Sequence, residues 1–124
     1  LQIPGGPIMR MKLIVALVND DNTEAVVDAA RSGGATGATI VTGARGEGVR
    51  PGKTFFGLGL ESKRDLALFL VVETRARDIL ERIRDAGRFD TQHGAGIAFQ
   101  LDIEDTVGLV SQLPTIREEL ESDL

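Results

Sequence analysis

The stretch KLIVALV, Lys12–Val18, and its counterpart LALFLVV, Leu66–Val72, decide the fold. Each is a continuous apolar run of strand length. A strand of an antiparallel sheet with one wet face alternates apolar and polar residues. These two runs are apolar at odd and even positions alike, so both faces of the strands they form are expected to be covered.

The surrounding sequence supplies the other elements. Asn19-Asp20-Asp21-Asn22 breaks the first run. Asp21 is the expected cap of a helix, with Glu24 as its capping-box partner. Val26, Val27 and Ala30 give that helix an apolar side, and Gly33-Gly34 stop it. Ala38–Ala44 reads as a second strand. Thr54–Leu60 is strand-like but weakened by Gly57 and Gly59. After Leu66–Val72, Thr74 is the expected cap of a second helix, whose stripe is Ala76, Ile79, Leu80 and Ile83. Gly87 ends it, Arg88–Ala95 is a loop, and Gly96–Ile103 alternates as the last strand. The order β-α-β-β-α-β predicts a ferredoxin-like α+β fold: a four-stranded antiparallel sheet with two helices on one face. Two helices cover one face only. Self-association is the simplest cover for the other, with a fold-back of the C-terminal segment as the alternative.

The 124 residues suit one domain. Residues 1–10 read as a cloning remnant or disordered N-terminus, and 104–124 as a partly helical tail with Leu109, Leu113, Ile116 and Leu120 at helical spacing. The absence of cysteine excludes disulfides, thiolate metal sites and thiol catalysis. A net charge of −5 argues against nucleic acid as a partner. No apolar run reaches the roughly 20 residues that span a bilayer, and no signal-peptide pattern is present. A cytoplasmic protein is expected.

Two Gly-rich segments could bind a ligand. Gly43-Ala44-Arg45-Gly46-Glu47-Gly48 follows a strand, and such backbone can present N–H groups to phosphate. No helix follows Gly48, so it is a poor dinucleotide fingerprint. Between residues 45 and 64 five cations face two carboxylates, a basic stretch on an acidic chain. The second segment is Gly87–Gly96. Each alone is equally well an ordinary connection. His93 has only Asp90 beside it as a further ligand, too few for a metal site. No serine lies in a nucleophile elbow. No catalytic residue and no metal ligand is assigned, and an enzyme is not expected.

The order of elements, together with GATGATIVTGARGEGVR at 34–50 and GRFDTQHGAGIAF at 87–99, resembles the PII signalling superfamily. The first segment is similar to that of PII-like members associated with bicarbonate uptake. The resemblance covers about Met11 to Ile103 and implies a homotrimer with an adenine nucleotide in clefts between subunits. It places Thr39, Gly46, Gly48, Arg50, Gly87, Arg88, Gly94 and Gly96 at the nucleotide. It makes about 47–63 a T-loop that touches a regulated partner through Arg50, Lys53, Phe55 and Phe56. By analogy that partner is a membrane transporter or a metabolic enzyme. No cofactor is implied beyond the nucleotide and a small anion such as bicarbonate.

Three departures mark a non-standard member. Ile97 stands where the family carries a phosphate-binding lysine. Glu104 and Asp105 replace a basic stretch, and the chain has no tyrosine to be nucleotidylated. Fewer cations weaken a triphosphate most, so AMP or ADP is expected over ATP. The alternatives are a trimeric relative of the divalent-cation tolerance family and an oligomeric interaction module without nucleotide.

Overall fold

The computed structural model describes residues 10–44 and 63–108. Its elements are β1 (Met11–Asn19), α1 (Thr23–Ser32), β2 (Thr39–Ala44), β3 (Arg64–Val72), α2 (Glu73–Gly87) and β4 (Gly96–Asp102), with a single 3-10 turn at Asp20–Asn22 before α1. The strands form one antiparallel sheet in the order β2-β3-β1-β4. This is the ferredoxin-like α+β fold expected from the order of elements. The strand-like stretch 54–60 and the tail from 109 onward lie outside the described residues.

Register divides the central strands into two faces. Ile14 lies opposite Phe69, Ala16 opposite Ala67 and Val18 opposite Asp65. Directly opposite residues share a face. The first two pairs and Val18 are buried in one cluster with Val26 and Ala30 of α1 and Ala76, Ile79 and Ile83 of α2. Both helices therefore lie on this face, and their apolar stripes are those read from the sequence. The intervening positions Leu13, Val15, Leu17, Leu66, Leu68 and Leu70 point to the opposite face. There the sheet is apolar and open: Phe99 is 43% and Leu101 48% exposed.

The helix ends differ in detail from the sequence reading. The chain turns through Asp20–Asn22 first, so α1 begins at Thr23 with Asn22 at its N-cap, and no side-chain cap bond forms. Asp21 is not the cap. Thr23 instead donates its hydroxyl to the buried Asp65 carboxylate at 2.6 Å, tying the start of α1 to the start of β3. α2 begins at Glu73, one residue before Thr74, with Val72 at its N-cap. Gly87 is its last residue and not its stop: Arg88 terminates it in the left-handed conformation at φ 59° and ψ 37°. At the far end of the sheet Lys12 donates to Asp102, which holds that carboxyl below its usual range.

Phe89 sets the path from α2 into β4. A Cβ on Gly87 would lie 2.3 Å from its ring, and one on Gly96 would lie 2.5 Å from both the ring and the Leu17 carbonyl oxygen. The ring can rotate, but a sheet carbonyl cannot. Gly96→Ala is therefore expected to destabilise the fold by about 1–3 kcal/mol, the usual cost of overpacking. Denaturant unfolding checks this, and an unchanged midpoint would mean that β4 can shift away from β1 freely.

Candidate functional site

Four chain segments meet at one end of the sheet. β2 leaves it at Ala44 and β3 enters it at Arg64, its register partner. Arg64 is also opposite Asn19, the last residue of β1. Gly96, the first residue of β4, is opposite Val18. Backbone bonds hold the junction: Asp20 N–H donates to the Lys63 carbonyl at 3.2 Å and Asn19 N–H to the Ala95 carbonyl at 3.4 Å. The 88–95 loop thus converges with Ala44, Lys63 and Arg64, although they are far apart in sequence. The register shift between Val41 and Ala44, with Gly43 at φ 72°, bends β2 as it reaches this point.

The 88–95 loop is knitted by its own backbone. The Arg88 carbonyl accepts from the N–H groups of Thr91 and Gln92, and Ala95 N–H donates to the Gln92 carbonyl at 3.2 Å. Arg88 is the one non-glycine residue with positive φ among those described. A large side chain in this conformation costs about 1–2 kcal/mol relative to a right-handed one. Glycine is the usual residue just past a helix end, so the guanidinium is held there against a backbone preference. Such strain gathers at ligand sites. Arg88 is exposed, and among the described residues no carboxylate pairs with it. The neighbouring acids are taken by Arg84, which lies 2.9 Å from Asp85 and 3.7 Å from Asp90. Those carboxylates raise the Arg84 pKa.

Of the residues assigned from sequence, Arg88, Gly94 and Gly96 are brought together here, with Gly87 at the loop's entrance. The packing of Phe89 is a sufficient reason for glycine at 87 and 96, independent of any ligand. Thr39 is exposed at the opposite end of β2, on the open face beside Leu68. At about 3.3 Å per residue it stands about 16 Å from Ala44, so a single chain does not join it to the 88–95 loop. Gly46, Gly48, Arg50, Lys53, Phe55 and Phe56 lie outside the described residues. His93 is exposed, and no metal-ligating cluster occurs among the described residues.

Sequence reasoning missed Arg64. It counted as one more cation of a basic loop, yet it is only 3% exposed. Its Nη1 donates to the Ala95 carbonyl at 3.4 Å, and its Nε has no partner. Burial lowers its pKa. The signal available was weak: two cations, Lys63-Arg64, separated by Asp65 alone from an apolar run. A separate cleft of about 300 Å³ lies between α2 and β4, floored by Leu80, Phe89, Ile97 and Ala98. Its rim cations Arg77 and Arg84 are already paired with carboxylates on the same chain.

The described fold can be set beside known proteins. The nitrogen regulatory protein P-II family matches residues 11–112. No curated protein matches the chain as a whole sequence. The CPII protein of Thiomonas intermedia K12, solved with ADP, AMP and acetate, is 21% identical with a TM-score of 0.62, over 82% of this chain and 93% of that one. The same protein solved with ADP, AMP and bicarbonate is 20% identical with a TM-score of 0.58, over 79% and 94%. A PII-like signalling protein of Thermus thermophilus is 26% identical with a TM-score of 0.57, over 76% and 87%. The family match spans every described strand and helix and both loops that meet at the sheet's end, and on that ground the chain belongs to the nitrogen regulatory protein P-II family.

Proposed function

We propose that this protein is a PII-like signal transducer. It assembles as a homotrimer, binds AMP or ADP in clefts between subunits, and regulates a partner through its 47–63 loop. It acts in the cytoplasm and carries out no reaction of its own. The observation that carries this reading is the meeting of the 88–95 loop with the base of the 45–62 segment, with Arg88 held exposed in a left-handed conformation at the junction. Family membership supports it, and so do the nucleotides in the Thiomonas CPII structures.

Assembly follows from the open face. Leu13, Val15, Leu17, Leu66, Leu68, Leu70, Phe99 and Leu101 form a contiguous apolar surface on a single chain. Monomers rarely leave such a surface in water. Packing it against two further copies would also give Thr39 neighbours that its own chain does not provide. Thr39 is then a hydroxyl contact of a cleft shared by two subunits. Among the described residues no helix is long and apolar enough to cross a membrane, so a transporter would be a partner reached through the loop.

Nucleotide choice is set by charge. Ile97 lies on the open sheet face opposite Leu17 and brings no cation to the phosphates. Gly94 and Gly96 can offer backbone N–H groups to one or two phosphates, together with Gly46 and Gly48 at the base of the partner-facing loop. A third phosphate gains little there and adds negative charge to an acidic chain. A small anion such as bicarbonate is the second ligand, in keeping with its presence in a CPII structure.

Three outcomes are expected. Light scattering at micromolar concentration should give the mass of a trimer, and Phe99→Glu combined with Leu101→Glu should give a monomer. A monomeric wild type would remove the inter-subunit cleft. In calorimetry AMP or ADP should bind at least as tightly as ATP. Ligand at 100 times Kd should stabilise the fold by about 2.7 kcal/mol, and the absence of any response to millimolar adenine nucleotide would sink the sensor reading. Arg88→Gly should separate stability from binding. It relieves the left-handed strain and raises stability by about 1 kcal/mol. It also weakens ADP by about 1.5–3 kcal/mol through loss of a charge-assisted hydrogen bond. A variant that is more stable and binds ADP normally would show that the side chain has no part in the site.

A further inference from the structure

A buried guanidinium without a counter-ion is rare because the desolvated charge is costly unless it is paired. Arg64 is in that position, with only 3% of its surface open to solvent. A guanidinium carries five N–H donors. Here one donates to the Ala95 carbonyl at the long distance of 3.4 Å, and Nε donates to nothing. The adjacent carboxylate cannot serve it. Asp65 points to the helix face, where it accepts from Thr23, while Arg64 points to the open face beside Asn19 and Ala44. Among the described residues no acidic side chain pairs with Arg64.

The place is as telling as the lack of a partner. Arg64 is the first residue of β3, where the 45–62 segment re-enters the sheet, and its guanidinium reaches the end of the 88–95 loop. It therefore bridges the two loops of the junction. Ile97, two positions beyond Ala95 on β4, supplies no charge to that loop. The cation missing from β4 has a counterpart on β3.

We infer that Arg64 is the specificity-determining cation of this site: its free donors receive an oxyanion, and the bound anion is the counter-ion that the described residues do not provide. The ligand chemistry is a phosphate oxygen of the nucleotide or a small anion such as bicarbonate, each able to accept two parallel N–H bonds from the fork. Occupancy fixes the start of β3 against the Ala95 carbonyl, so that the anion ties Arg64 to the 88–95 loop. The inference rests on the reading of this junction as a ligand site and names the residue and charge that select the ligand.

The test uses the full chain as wild type, Arg64→Gln and Arg64→Lys. Gln keeps a polar side chain with donors but without the charge, and Lys keeps the charge without the planar fork. Melting curves come first. A buried charge with no partner opposes folding, so ligand-free Arg64→Gln should melt at or above the wild type. A clear drop would make Arg64 a structural prop and overturn the inference. Calorimetry with adenosine, AMP and ADP, and melting shifts with sodium bicarbonate or inorganic phosphate alone, come next. We expect Arg64→Gln to lose at least tenfold in affinity for ADP or in response to the inorganic anion, with adenosine binding unchanged and Arg64→Lys intermediate. A loss confined to ADP makes the nucleotide phosphate the ligand, and one confined to bicarbonate makes it the free anion. Equal responses of wild type and Arg64→Gln to every anion would overturn the inference. If the wild type binds no adenine nucleotide, the sensor reading fails separately, and the inorganic anions alone decide the role of Arg64. A wild type that responds to neither kind of ligand overturns both.

Discussion

The structure depends on the pairing of β1 with β3. These two strands run side by side through the centre of the sheet from Met11 opposite Val72 to Asn19 opposite Arg64. Ile14 and Phe69 face each other on the helix side and are fully buried. Because side chains alternate along a strand, the same register that fixes this core also fixes a second apolar row. A slip of one residue would exchange the two rows and place Asp65 among leucines. One constraint therefore sets the core, the open face and the position of the only acidic residue in the central pair.

The same register places the candidate site. It brings Arg64 to the end of the sheet beside Asn19, and β4 begins there because Gly96 pairs with Val18. Phe89 then closes the corner by packing over Gly87 and Gly96, which commits residues 88–95 to a short loop above the sheet's edge. Arg88 takes the left-handed turn that this path demands. Fold and site are not separable here. Gly96, which could approach a phosphate, also admits an aromatic ring, and both demands are met by the same missing Cβ atom.

The charge pattern has a consequence for how a signalling protein of this family can work. The chain is acidic as a whole, yet Arg64 and Arg88 sit at the junction without carboxylate partners among the described residues. A bound anion can offset such charges locally, and its effect is largest on a buried one, where the surroundings screen least. Arg64 begins the strand that emerges from the 45–62 segment. A ligand held there acts on the root of that segment directly, and a nucleotide with more or fewer phosphates would present a different charge to it.

The strands, the helices and their order were legible in the sequence because they rest on periodicity and on local breakers. KLIVALV and LALFLVV fixed two strands, the stripe Ala76, Ile79, Leu80, Ile83 fixed a helix, and apolar residues at every position of the central strands implied that the sheet had two faces to cover. The Gly-rich segments and their likeness to the PII family pointed to the 88–95 loop of the candidate site. The exact helix ends were not legible, since a 3-10 turn at Asp20–Asn22 displaced the expected cap at Asp21, and Arg88 took a place where glycine was expected to act one residue earlier. Nor was Arg64: a cation before an apolar run reads as solvated, and nothing local says whether it will be. The sequence by itself determined what depends on neighbours along the chain. Only the tertiary structure decided that Lys63–Arg64, Asn19 and Ala95 meet, because burial and the loss of a counter-ion arise between residues brought together by strand register, and no local pattern encodes that meeting.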